Sequence, residues 1–499
     1  MPAARTDTSV DESSLCESKV PACCYGYLVD FVGRESEIAS LAARLAGIRE
    51  SGRGALVSMR GRRRVGKSRL VEEFARRSGS PYVFYTAVKG EIGREVDRFN
   101  EALGETATAA GGMVRAGTRA ETWEAALGLI AVAAAKDRPT IVILDEFPYL
   151  IEKDPSIEAV LQKVWDRTLQ EVPVLVVVIG SDEAMMAALS EQGRPLYDRA
   201  RDMVIYPLTP ADIGEMLDLS PIDALDAYLV IGGFPVLALE WGRGRNMAGY
   251  LADALTDPGS FLVISGERAL AAEFPVDAQA RRVLNAIGSE ARAHRKIQSI
   301  SGLGSAALAR ALEVLLRKRA VERLTPYSTK ASPRNTQWFV RDPYLRFWLR
   351  FVNGSIELLE RGRGDVLLER HSQDWSGFRG RAVEPVVRDC VARLLHQDRF
   401  GGARHVGSYW TRSSTAEVDL VGGDKAPVAS EIPFVGSIKW HDHGPFTRRD
   451  AAALATQRGT VPGATEETRL IGVASHGFED DLGLDEYLGP EDLVAAWRR

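Results

Sequence analysis

Short, almost wholly apolar runs alternate along the first 200 residues with longer stretches whose apolar positions recur every three or four residues. The run Ala55-Leu56-Val57-Ser58-Met59, bounded by Gly54 and Gly61, predicts a buried strand. Behind it, Leu70, Val71 and Phe74 share one face of a predicted helix. Pro81–Tyr85 reads as a second strand from its β-branched and aromatic content. Residues 90–135 are Ala-rich and read as helical. Thr140–Leu144 has the composition of a strand buried on both faces of a parallel sheet, Val174–Ile179 predicts another, and Met203–Pro207 a fifth. Strands alternating with helices predict an α/β fold with a doubly wound, mostly parallel sheet over residues 27–207.

The pattern then changes. Residues 208–276 carry helical periodicity broken at Gly232-Gly233-Phe234-Pro235, which predicts a small helical lid with a tight turn. In residues 277–350, Val283, Leu284 and Ile287 mark one helix, and Ile297 and Ile300 a short second one. Leu308, Leu312, Leu315 and Leu316, after the turn Gly302-Leu303-Gly304, form one face of a third. Val321–Leu324 and Trp338–Val340 flank a polar loop over 326–336. Three helices and a hairpin describe a winged helix–turn–helix. Asp342-Pro343 suits a helix start, and Tyr344, Phe347, Trp348 and Phe351 on one face predict core packing. In residues 351–499, Phe378–Leu395 predicts a helix, and Val406–Trp410, Glu417–Val421 and Ile432–Ile438 predict strands of a further α/β domain. Residues 1–26 show no periodicity and predict a disordered tail.

At 499 residues the chain exceeds a single core, so several domains are expected. Apolar and charged fractions of 45% and 26% are ordinary for a globular protein. No apolar run reaches 18 residues, and the first thirty lack a signal-peptide pattern. Cys16, Cys23, Cys24 and Cys390 make no disulfide framework at this size, which points to free thiols and a cytoplasmic location. The net charge of −5 excludes a polycation, so any nucleic-acid surface must be local. One such region exists: between Arg281 and Arg350 there are 15 Arg and Lys against 4 Asp and Glu. Arg310 and Arg317 lie on the polar side of the third helix, and Lys330 and Arg334 on the loop, which makes these four the candidate contacts to duplex DNA. In that design the helix enters the major groove and the wing touches backbone, with the charge giving affinity more than sequence choice. The competing reading is a winged-helix spacer used for protein packing.

The candidate chemistry lies between the first strand and its helix. Gly61-Arg62-Arg63-Arg64-Val65-Gly66-Lys67-Ser68, continuing into Arg69, matches the phosphate-binding loop G-x-x-x-x-G-K-[ST]. The glycines let backbone N–H groups face phosphate oxygens, and the helix N-terminus adds its positive dipole end. Lys67 suits the β- and γ-phosphates, and Ser68 suits Mg²⁺. The third strand ends in Asp145-Glu146, a metal-holding acid followed by a candidate base for the attacking water. The fourth ends in Ser181, a candidate sensor of the γ-phosphate or the water. No N-K-x-D or T-K-x-D guanine-reading tetrapeptide occurs, so the expected ligands are ATP and Mg²⁺.

Six segments in order carry a resemblance: Phe31-Val32-Gly33-Arg34-Glu35, Arg63–Ser68, Leu144-Asp145-Glu146-Phe147, Ile179-Gly180-Ser181, Pro195-Leu196-Tyr197-Asp198-Arg199 and Gly232-Gly233-Phe234-Pro235. With them, residues 31–240 resemble the archaeal-type ATPases of the STAND group of P-loop NTPases, within the AAA-like class. The resemblance implies Val32, Gly33 and Arg34 beside the adenine, Arg199 near the γ-phosphate and Pro235 capping the nucleotide. Asp198 departs from the family's usual Gly, Ser68 from its commoner Thr, and Asp182 follows the sensor position. The C-terminal part resembles the domain of unknown function appended to such ATPases, a relative of the PD-(D/E)XK nucleases. Glu384, Asp419 and Lys439 fit that layout, but Ser437 stands where a second strand acid is expected, which predicts a degenerate, inactive nuclease-like domain. The resulting expectation is an ATP-binding and -hydrolysing switch associated with duplex DNA. The alternatives are an ATP-gated, Mg²⁺-dependent nuclease and a protein-interaction switch that never meets DNA.

Overall fold

The computed structural model describes residues 31–88, 92–134, 138–274, 279–332, 335–413 and 415–498. The predicted tail over 1–26, with Cys16, Cys23 and Cys24, lies outside them, as does Arg334. The first region runs α1 (Glu35–Ser51), β1 (Ala55–Arg60), α2 (Lys67–Ser78), β2 (Tyr82–Thr86), α3 (Ile92–Gly104), α4 (Ala109–Arg115), α5 (Trp123–Ala133), β3 (Thr140–Asp145), α6 (Phe147–Lys153), α7 (Ile157–Arg167), β4 (Val174–Gly180), α8 (Glu183–Ala188) and β5 (Ala200–Val204). Its five strands are parallel in the order β2-β3-β4-β1-β5. The uniformly apolar runs are the inner strands, and every residue of β3 and β4 is buried. This is the predicted P-loop NTPase sheet. The Ala-rich stretch is divided into three helices because Thr108 and Thr122 each cap a new one. The fifth strand begins three residues earlier than its apolar content predicted. Its register is set by β1, from Leu56 opposite Ala200 to Arg60 opposite Val204, and Pro207 has no N–H to continue a ladder.

The second region holds α9 (Pro210–Leu217), α10 (Pro221–Ile231), α11 (Pro235–Trp241), α12 (Met247–Ala254) and α13 (Phe261–Glu273). Leu225, Leu229, Val230 and Ile231 of α10 are fully buried in one continuous core with Val57, Met59, Val177 and Ile179 of the sheet. A side chain at Gly233 would lie 2.2 Å from the Leu208 carbonyl, so the turn between α10 and α11 closes this tightly only with glycine there.

Residues 279–340 form α14 (Gln279–Ile287), β6 (Arg292–Ala293), α15 (His294–Ser301), α16 (Ser305–Arg317), β7 (Val321–Leu324) and β8 (Gln337–Val340). The strands make an antiparallel sheet in the order β6-β8-β7. Leu308, Leu312 and Leu315 are buried as their spacing predicted, whereas Leu316 is half-exposed. Part of the loop between β7 and β8 is packed against the C-terminal region. Tyr327 is 6% exposed in the C-terminal core; its N–H donates to Ser408 O at 2.8 Å and its hydroxyl to Lys425 O at 2.7 Å. Thr329 N–H bonds Pro462 O, and Asn335 exchanges hydrogen bonds with Trp410 at 3.0 and 3.2 Å. The expected wing is therefore anchored at its apolar base on protein, with Lys330 exposed at its edge.

The last region contains α17 (Pro343–Phe351), α18 (Ile356–Glu360), α19 (Gly364–Leu394), β9 (His405–Trp410), β10 (Glu417–Gly423), β11 (Phe434–Lys439), α20 (Arg448–Arg458), β12 (Arg469–Ala474), β13 (Glu486–Leu488) and α21 (Pro490–Ala495). Asp342 caps α17, and the predicted aromatic stripe is core. Helix α19 spans 31 residues and begins fourteen before the predicted start, because the added turns have only Gly364, Leu367 and Trp375 buried and so show little apolar periodicity. The mixed sheet has the order β13-β12-β11-β10-β9. Strand β11 starts two residues later than predicted, after Pro433, which has no ladder donor. Arg379 of α19 donates to Asp226 of α10 at 2.8 Å, and Trp440 Nε1 reaches the same carboxylate at 3.3 Å, which fastens the C-terminal region to the helical one.

Candidate nucleotide and nucleic-acid sites

The loop 61–66 leaves the C-terminal end of β1 and enters α2, the strand–loop–helix context its sequence requires. Gly66 has φ 91, a conformation an L side chain resists, and this turns the following N–H groups inward. Lys67 is 6% exposed, and its ammonium donates to Gly61 O at 2.7 Å and Arg62 O at 3.0 Å. Burial lowers its pKa from 10.5 to about 8, against the pull of Glu146 and Asp145. Ser68 Oγ donates to Asp145 Oδ2 at 2.8 Å. Burial raises the Asp145 carboxyl above its ordinary range, and the Ser68 hydrogen bond opposes this. A hydroxyl and a buried carboxylate side by side are hard oxygen donors that fit Mg²⁺, with phosphate oxygens and water left to complete its shell.

Because β4 lies between β1 and β3, Ser181 at its end stands between the loop and Glu146. Ser181 Oγ donates to Glu146 Oε2 at 2.9 Å. Glu146 has φ 54 at the start of α6, an uncommon conformation for a non-glycine residue and one met at functional sites. The Gly-Arg-Glu segment also reaches the loop. Arg34, left-handed at φ 73, donates to Val65 O at 3.0 Å, while a side chain at Gly33 would meet Asp212 and Leu208. Val32 adjoins them, half-buried. A side chain on Gly66 would lie 3.6 Å from Pro235 Cγ, so Pro235 sits over the loop. Asp198 has φ 58, a conformation open to the glycine usual there and tolerated by aspartate. Asp182 caps α8 by accepting from Met185 N.

Arg199 is placed elsewhere. Its neighbour Ala200 pairs with Leu56, five residues before Gly61 and so about 16 Å down the strand at ~3.3 Å per residue. Its guanidinium forks onto Asp166 at 2.7 and 2.8 Å. It belongs to the opposite edge of the sheet, and the expected role at the γ-phosphate of this chain's own site is corrected. The resemblance supplied the residue but not the strand end at which it stands.

Two interactions were outside the reach of sequence reasoning. Arg62 forms an ion pair with Asp342, 280 positions away, and lies 5.5 Å from the Phe234 ring centroid. Arg64 donates to Ser265 Oγ at 2.6 Å, while Arg69 pairs with Glu72 at 3.3 Å on the outer side of α2. Neither the Asp342 nor the Ser265 contact leaves a local signal.

The basic face is carried by α15 and α16. Arg295, Lys296, Arg310 and Arg317 are exposed, and among the described residues none of them forms an ion pair. Further along, the helix–strand arrangement brings Glu384, Asp419 and Ser437 together. Ser437 Oγ and Ile438 N–H both donate to Asp419 Oδ2, at 3.2 and 2.8 Å. Arg388 lies against the Glu384 carboxylate at 3.5 Å and donates to the main-chain carbonyl of Asp419 at 3.2 Å, so a guanidinium stands beside one of the acids. The spacing Glu384 to Arg388, one helical turn, was the available signal. Burial raises the Glu384 pKa to about 7, with Asp419 and Glu417 adding to the effect and Arg388 opposing it. Lys439 turns to Asp450 at 3.5 Å. Among the described residues no three His, Cys, Asp or Glu side chains are placed to hold a metal.

Residues 31–237 match the family described as an ATPase domain predominantly from Archaea, and residues 348–454 match one described as archaeal and bacterial proteins of unknown function. An uncharacterized protein of Methanocaldococcus jannaschii is 24% identical over 420 residues, 83% of this chain and 88% of its own length. A second uncharacterized protein of that organism is 32% identical over 59 residues, 12% of this chain and 52% of its own. Among solved structures, a Walker-type ATPase of Pyrococcus abyssi has 18% identity and a TM-score of 0.46, covering 64% of this chain and 96% of that one. The ORC2 protein of Aeropyrum pernix, in ADPNP and ADP complexes, has 13% identity and a TM-score of 0.42, covering 70% and 97%.

Proposed function

We propose that the chain is an ATP-hydrolysing switch whose nucleotide site lies at the C-terminal edge of β1, β3 and β4. The observation that carries this is the pair of hydrogen bonds Ser68–Asp145 and Ser181–Glu146, which put a metal-holding pair and a base beside one phosphate loop. The match of residues 31–237 to an archaeal ATPase domain agrees with it. With ATP seated, Lys67 exchanges the Gly61 and Arg62 carbonyls for β- and γ-phosphate oxygens. Ser68 and Asp145 would hold Mg²⁺, and Glu146 orients the attacking water and accepts its proton, steadied by Ser181. Bound there, Mg²⁺ would supply neutralisation of the charge that builds on the phosphate oxygens. Val32, Gly33 and Arg34 flank the base, and Pro235 closes over the nucleotide.

The same reading makes residues 279–340 a winged helix that presents α16 to the major groove of duplex DNA. Arg295, Lys296, Arg310 and Arg317, exposed and without an ion pair among the described residues, support it. A specific observation favours a second reading, a protein-interaction switch: the loop that would be the wing is packed on the C-terminal sheet through Tyr327. The C-terminal domain is proposed as a nuclease-like fold without cleavage activity, supported by Ser437 beside Asp419 and by Arg388 against Glu384. The deciding experiment is the Mg²⁺-dependent ATP turnover of the full chain with and without duplex DNA at low salt. Turnover stimulated by DNA is expected. Turnover indifferent to DNA, with no DNA bound, selects the interaction switch, and no turnover at all removes the ATPase.

A further inference from the structure

The three consecutive arginines of the phosphate loop leave it in three directions. Arg62 is held by Asp342 and Arg64 by Ser265, both in the helical regions that follow the sheet. Arg63 alone turns along the strand ends toward the candidate base. Its Nε lies 3.3 Å from Ser181 Oγ, and a terminal nitrogen donates to the Tyr149 hydroxyl at 2.7 Å. A guanidinium has donors only, so the Ser181 oxygen must accept from it. The single serine proton is then directed at Glu146, and the 2.9 Å contact to Oε2 is that bond. Tyr149 anchors the other side, because its N–H donates to the Glu146 carbonyl at 2.9 Å in the first turn of α6. Arg63 thus spans from the end of β4 to the turn that carries the base in its left-handed conformation. Lys67 is committed to the loop and then to phosphate, and Arg199 stands at the far edge of the sheet.

We propose that Arg63 is a positioning residue for hydrolysis: it acts through Ser181 and Tyr149 to hold Glu146 in line with the attacking water. This rests on the ATPase reading above. Arg63→Ala should lower kcat about 10- to 100-fold, the range of a misaligned general base, a larger loss than any in ATP affinity, with thermal stability unchanged because the side chain is exposed. Since Arg63 works through Ser181, the double variant R63A/S181A should be no more than about twofold slower than the slower single variant, where independent roles would multiply. Arg63→Lys, able to reach one partner but not fork between two, should fall between wild type and alanine. An unchanged kcat in R63A, multiplying penalties in the double variant, or a loss confined to ATP affinity would each overturn the proposal while leaving the ATPase intact. A wild-type chain with no turnover would instead take the ATPase reading down, and this one with it.

Discussion

Nucleotide affinity should fall steeply above pH 8, and the cause is Lys67. The residue is 6% exposed, its ammonium is hydrogen-bonded to two loop carbonyls, and burial brings its pKa from 10.5 to about 8. The sign follows from the direction. A lysine whose folded pKa is depressed costs the fold stability while it is charged, so the cost is full below pH 8 and fades as pH rises from 8 towards 10.5. At 1.36 kcal/mol per unit the shift is worth about 3 kcal/mol. Phosphate binding needs the charged form and restores its stability, so the bound state keeps a proton that the free state loses. At pH 9 about one free molecule in eleven carries it, and affinity should be roughly tenfold below its pH 7.5 value. The phosphates, with a last pKa of about 6, stay ionised over this interval. Calorimetry of ATP binding at pH 7.5 and 9, in two buffers of different ionisation heat, reads both the affinity and the proton taken up. Lys67→Arg, charged throughout, should flatten the dependence. A wild-type affinity flat from pH 7.5 to 9.5 with no buffer-dependent heat would refute the reasoning.

Glu146→Gln should keep ATP bound and lose about 10²-fold or more in turnover, read by equilibrium binding beside a phosphate-release assay. Arg310→Ala and Arg317→Ala should each weaken duplex binding and reduce the slope of log K against log salt by about 0.9 for each phosphate left without its cation, measured by fluorescence anisotropy across a salt series. The native chain should cut no DNA with Mg²⁺ or Mn²⁺, because Ser437 offers a neutral hydroxyl beside Asp419 and Arg388 already neutralises Glu384; cleavage abolished by Asp419→Ala would reverse that. Asp226→Ala should destabilise the junction of α10 and α19 by about 1–3 kcal/mol, seen in denaturant unfolding, because it leaves the buried Arg379 with only the looser Asp442 carboxylate at 3.4 Å.

What could be read from the sequence was what is local. The phosphate loop is eight consecutive residues, and Asp145-Glu146 and Ser181 end apolar runs that are nearly pure, so strand, loop and chemistry announce themselves together. The spacing of Leu308, Leu312 and Leu315 likewise marked the buried face of α16. Strand ends were misread where a proline decided them: Pro207 closes the ladder after β5, and Pro433 delays β11. Arg199 was misplaced because a motif gives a residue type and not the edge of the sheet it occupies. The docking of Tyr327 was hidden for a different reason. A loop rich in Pro, Ser, Thr, Lys and Asn reads as solvent-facing, and only the remote Ser408, Lys425 and Pro462 carbonyls show that its backbone and hydroxyl groups are satisfied by protein. Arg62–Asp342 and Arg379–Asp226 join positions 280 and 153 residues apart, and no periodicity encodes them.

If the strand ends of β1, β3 and β4 hydrolyse ATP with Lys67 on the phosphates, phosphate release from ATP is the quantity to follow. It is read from the purified full chain with Mg²⁺, set beside Lys67→Ala at equal concentration and confirmed fold. Wild type should release phosphate steadily and only with Mg²⁺, and release should vanish in the variant, with ATP binding abolished or much weakened. Release that persists unchanged in Lys67→Ala, or a wild-type chain that neither binds nor hydrolyses ATP, would contradict the assignment.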